Sequence, residues 1–132
     1  MADFYTVEFR ISGKDLSPAE ITEAMGIQPT RVLQVGERRT ASSSFDQATW
    51  SYEGAAGEEW TSLEVGLNSL IRELLPKRDL ISGFAKRFDA CWWCGHFQDS
   101  FDGGPRLSSD LLRELADFGI PVALSSYRSA DS

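Results

Sequence analysis

Residues 91–97, Cys-Trp-Trp-Cys-Gly-His-Phe, are the stretch on which the fold reading turns. Bulky groups occupy both parities here, so a strand would present large side chains on both faces, as an interior strand of a sheet does. Successive residues of a strand point to opposite faces. Trp92, Cys94, His96 and Gln98 therefore share one face, and Cys91 and Trp93 share the other. Residues 4–12 behave alike: Tyr5, Val7, Phe9 and Ile11 alternate with Phe4, Thr6, Glu8 and Arg10, the period-two pattern of a strand. These two stretches are read as the central pair of one sheet.

The segments around them punctuate clearly. Ser17 suits an N-cap, Pro18 the first helical position and Glu20 a capping box, with Leu16 and Ile21 placed for a hydrophobic staple and Gly26 for an αL stop. Val32, Leu33 and Val35 fit a short strand, and Ala48, Trp50 and Tyr52 alternate as a longer one. Trp60, Leu63, Leu67, Leu70, Ile71 and Leu74 recur at steps of three and four, which predicts a helix that Pro76 interrupts. Leu80, Ile81, Phe84 and Phe88 predict a second helix. A last helix is expected from Ser109 to Phe118, stopped by Gly119-Ile120-Pro121, with a final strand from Val122 to Tyr127.

Leu16-Ser17, helix, Gly26-Ile27 is echoed by Leu107-Ser108, helix, Gly119-Ile120. The echo suggests two β-α-β halves. The expectation is a single α+β domain over residues 1–132, with a ferredoxin-like antiparallel sheet and a helical insertion at about 59–88. In that arrangement the first and third main strands are central, and the inserted helices cover an edge or part of the second sheet face.

Composition narrows the function classes. Twenty acidic residues against 13 basic give a net charge of −7, which disfavours nucleic acid as a partner because phosphate contact needs clustered Lys and Arg. The same balance suits a basic protein partner, through complementary fields, and leaves self-association open. No run approaches the roughly 18 apolar residues of a membrane span. No basic region followed by an apolar run opens the chain, and there are only two cysteines, so a reduced cytoplasm is the expected setting.

Few residues carry chemistry. Cys91 and Cys94 form a CxxC pattern, but a redox cysteine sits at a helix N-terminus and residues three apart on a strand face opposite ways. A metal site from Cys91, Cys94 and His96 has only three ligands, and Cys91 points away from the other two. His96 is the single histidine and the candidate general acid or base, with Asp99 and Asp102 as the nearest loop carboxylates. Arg38 and Arg39 can grip an anion or a partner carboxylate. Of Trp92 and Trp93, one must pack inside, and the other either meets the helices at 59–88 or belongs to a surface patch as a candidate binding hot spot.

Leu16-Ser17-Pro18, Met25-Gly26-Ile27-Gln28-Pro29-Thr30, Gly36, Trp50 and Leu70 with Leu74-Leu75 resemble a bacterial family known as domain of unknown function forty-two seventy-nine. Its leucine in an LGI-x-PT signature is Met25 here. The resemblance implies a bacterial, cytoplasmic, single-domain protein, and its motif residues are turn and packing residues that bring no active site or cofactor with them. The leading expectation is a non-catalytic protein-binding module for a basic partner, after the manner of toxin-neutralising immunity proteins. The alternative is a small-molecule-binding protein or enzyme using a cleft around His96 with Arg38 or Arg39.

Overall fold

Alternation places Tyr5, Val7, Phe9 and Ile11 on one side of strand β1 (Phe4–Gly13), and all four are buried. The computed structural model of the chain describes residues 3–40, 43–44, 46–55, 59–98 and 104–128, and the backbone alone for 38–40, 43–44 and 128. Six further strands follow: β2 (Arg31–Leu33), β3 (Arg38–Thr40), β4 (Ser43–Ser44), β5 (Ala48–Tyr52), β6 (Asp89–Gln98) and β7 (Val122–Arg128). Among them run the helices α1 (Pro18–Met25), α2 (Leu63–Leu74), α3 (Arg78–Ala85) and α4 (Ser109–Asp117). The chain is thus α+β, with a five-stranded sheet ordered β2-β5-β1-β6-β7 and a small β3-β4 pair.

The helix ends follow local chemistry. Ser17 Oγ accepts from the Glu20 N–H at 3.4 Å, and Ser108 Oγ accepts from the Leu111 N–H at 3.1 Å. Both hydroxyls satisfy a first-turn donor that the helix itself cannot. Gly26 and Gly119 close α1 and the turn after α4 at φ 68° and 75°, a conformation with little cost only for glycine. The two halves of the echo therefore share cap and stop geometry. Pro76 ends α2 in a single 3-10 turn, Leu75–Lys77, before α3.

The expected central pair is correct: β1 and β6 lie antiparallel in the middle, from Phe4↔Phe97 to Ser12↔Asp89. The ferredoxin-like order is not. The sheet is mixed, because β7 runs parallel to β6 and directly beside it. The Trp92 N–H donates to the Pro121 carbonyl at 2.9 Å, so the tight Gly119-Ile120-Pro121 turn delivers β7 next to β6 and leaves no gap for another strand. In the first half it is the short β2 that closes the β-α-β unit. It is antiparallel to β5, which is antiparallel to β1, so β2 and β1 run parallel with β5 between them. The Thr30 N–H on the Ser51 carbonyl, at 2.8 Å, pins β2 there.

Two smaller expectations also change. Trp60 precedes α2, whose N-cap is Ser62, and forms a β-bridge to Tyr5 with N···O distances of 2.7 and 2.8 Å. The inserted helices do not cover a second sheet face. All four helices contribute to one core with the Tyr5/Val7/Phe9/Ile11 side of β1. At its centre Phe9 meets Trp50 edge-on at 6.0 Å and Trp92 at a tilt at 5.9 Å, and Phe118 meets Trp92 edge-on at 5.0 Å. Burying such rings supplies the main stabilising term of a two-layer domain, about 1.5–3 kcal/mol or more for each side chain.

Candidate functional site

The other side of the sheet carries no helix among the described residues. Its side chains follow from register: Arg10 lies between Ser51 on β5 and Cys91 on β6, and Glu8 lies opposite Trp93. These residues form a compact centre. Arg10 Nε donates to Glu8 Oε2 at 2.7 Å, and the Arg10 guanidinium lies 4.0 Å from the centroid of the Trp93 ring. The carboxylate holds the guanidinium over the face of the indole, a cation–π arrangement of about 0.5–2 kcal/mol. Toward one end, Phe4, Phe97 and Tyr127 stack across three strands at 4.6 and 4.8 Å. Between Trp93 and Phe97, a Cβ on Gly95 would stand 2.6 Å from Thr6 Oγ1, so glycine keeps the surface flush.

His96 lies on the opposite, helix-covered face. It is 2% exposed, its Nε2 is 3.0 Å from Asp3 Oδ2, and its ring stacks on Tyr5 at 4.6 Å. Burial, with the nearby Asp3 charge as a lesser cause, raises the Tyr5 hydroxyl pKa above its ordinary value. Among the described residues there is therefore no cleft around His96 such as the sequence led us to expect: packing closes the ring in and Asp3 takes its nitrogen. Trp92 requires the same correction. It is fully buried against Phe9 and Phe118 and presents nothing to a partner, whereas Trp93 is half-buried on the open face.

Strand parity separates the cysteines as well: Cys94 points into the core and Cys91 to the open face. Among the described residues no three His, Cys, Asp or Glu side chains form a group able to hold a metal ion, so Cys91, Cys94 and His96 do not converge. Burial pushes the Cys94 thiol up to about 12 and also raises Cys91, where the facing Arg10 charge partly opposes it. Both thiols stay protonated near neutrality, and reactivity follows the thiolate. With Ellman's reagent at pH 8, native protein is expected to label slowly at Cys91 and not at Cys94. Denatured protein should label quickly at both. Rapid labelling of two thiols in the native state would refute this placement.

Arg38 and Arg39 run in β3, but their side chains lie outside the described residues, as do Asp99 and Asp102. The sequence reading missed Glu8 and Arg10. Their signal was present as a charged pair at spacing two on one face of a strand read as interior.

Comparison with known proteins gives one positive result. Residues 3–129 match a family described as a domain of unknown function, DUF4279. No curated protein and no solved structure matches the chain.

Proposed function

The chain belongs to the DUF4279 family, and from that membership we propose that it is a non-catalytic binding module of the bacterial cytoplasm, holding a basic protein partner on the uncovered face of its sheet. The observation that carries this reading is the one-sided packing. Four helices bury one face, while the other presents Trp93 under Arg10 beside the Phe4–Phe97–Tyr127 stack, with Tyr127 43% exposed. Aromatic and arginine side chains on an exposed surface have the composition of interface hot spots. The net charge of −7 supplies a field that favours a basic partner. No helix among the described residues is long and apolar enough to cross a membrane, and both cysteines are free thiols.

The test is affinity capture from native bacterial lysate, with wild-type and Trp93→Ala proteins as bait. Wild type should retain a basic protein in near-equal amount, less of it at high salt. Trp93→Ala should weaken its capture about ten-fold or more, the loss expected of a hot-spot tryptophan, with an unchanged unfolding midpoint. Equal capture by Trp93→Ala and Tyr127→Ala would sink the assignment of this face.

A further inference from the structure

Register across β1, β5 and β2 brings together residues far apart in sequence. Ser51 pairs with Arg10 on one side and with Arg31 on the other, so one row across the open face reads Arg10, Ser51, Arg31. The adjacent row includes Ser12 and Thr49, whose hydroxyl oxygens are 3.1 Å apart. Two strand spacings separate the arginine backbones, about 10 Å. A cavity of about 300 Å³ opens there, lined by both arginines, Ser12, Thr49, Ser51 and Asp46 among others.

Three observations define the guest. Glu8 takes only Nε of Arg10, and no other described residue takes a hydrogen bond from that guanidinium. Arg31 is exposed and makes no hydrogen bond or ion pair among the described residues, although its charge is felt at Glu53, where it opposes the rise that burial causes. Ser12, Thr49 and Ser51 contribute hydroxyls to the lining, with Ser51 only 3% exposed. Two guanidinium forks over hydroxyl donors match a planar oxyanion. Asp46 at the rim, with Glu8 and Glu53 in the neighbouring row, penalises a second negative charge. We propose that this cavity is a binding site for a monoanionic carboxylate, borne by a small organic acid or by the C-terminus of a peptide. The site goes beyond the partner-binding reading and does not depend on it.

The experiment is amide NMR titration of the full chain at fixed ionic strength with propionate, inorganic phosphate, and one short peptide in free-carboxylate and amidated forms. Propionate should give saturable shifts at Ser12, Thr49 and Ser51. Arg31→Ala, an exposed edge-strand change that leaves the core intact, should weaken them about ten-fold, and Arg31→Lys should restore them only in part, because a point charge lacks the fork. The free-carboxylate peptide binding while its amide does not would place the carboxylate on a chain terminus. Propionate binding while both peptides fail would place it on a small acid. No saturable shift, unchanged propionate shifts in Arg31→Ala, or tighter binding of phosphate than of propionate would overturn the proposal. If propionate binds normally while Trp93→Ala captures as much protein as wild type, the partner-binding reading falls and this one stands.

Discussion

Replacing Trp92 by alanine is expected to destabilise the protein by about 3–5 kcal/mol, the range for deleting a fully buried aromatic side chain. Domains of this size are stable by about 5–15 kcal/mol, so the variant should stand near the edge of folding. The expectation rests on geometry: the indole is fully buried, meets Phe118 edge-on and Phe9 at a tilt, and sits on the strand next to the sheet centre. A further detail sharpens it. Among the described residues the buried Trp92 Nε1–H meets no hydrogen-bond partner, so Trp92→Phe loses volume but also removes an unsatisfied donor. That variant should lose about 1 kcal/mol, because the two effects oppose each other. Urea unfolding midpoints of the three proteins measure both differences. A loss below about 1 kcal/mol for Trp92→Ala would mean that the ring is not packed as described.

The second large effect concerns Glu73. Its carboxylate accepts from the Tyr52 hydroxyl at 2.6 Å and from the Ala55 N–H at 3.0 Å, tying α2 to the end of β5 where Gly54 turns at φ 95°. Glu73→Ala leaves both donors without that partner and should cost about 2–3 kcal/mol at pH 7, the scale for hydrogen bonds to a charged group. Burial first, and then the hydrogen bond and charge of Glu73, push the Tyr52 pKa from 10.0 to about 12. A pKa raised by folding contributes stability below the unfolded value. In wild type that contribution is complete below pH 10 and disappears as pH rises through about 12. Without Glu73 the tyrosine should titrate earlier, though still above its ordinary value, because burial remains. Tyrosinate absorbance across that alkaline range reads the shift, and an unmoved titration would contradict the contact.

Local chemistry was legible in the sequence. Ser17, Pro18 and Gly26 act within a few residues of one another, so their spacing alone fixed the start and stop of α1. Ser108 and Gly119 did the same around α4. Parity in residues 91–97 also placed His96 with Trp92 and apart from Trp93. Parity does not say which face the helices take, and so His96 was read toward a cleft when it lies in the core. Strand order was not legible for a related reason. Whether β5 or β2 completes the first β-α-β unit depends on pairings such as Ser51 with Arg31, which carry no local signal. The same pairing creates the Arg10–Ser51–Arg31 row, which no motif in the sequence announces.

As the chain leaves the ribosome, β1 emerges ahead of both of its neighbours. β5 can join it once Ala48–Tyr52 is made, but β6 follows only from Asp89 onward, and the contact of His96 with Asp3 spans 93 residues. Closing so long a loop before any contact rewards it is slow, and sheets rich in distant pairings fold in milliseconds to seconds where helical bundles need microseconds to milliseconds. During synthesis one edge of β1 must wait without a partner, with Phe4, Tyr5, Val7 and Phe9 along it, a stretch apt to pair with other nascent chains. Translation rate across the helical segment between β5 and β6 therefore sets how long that edge stays open.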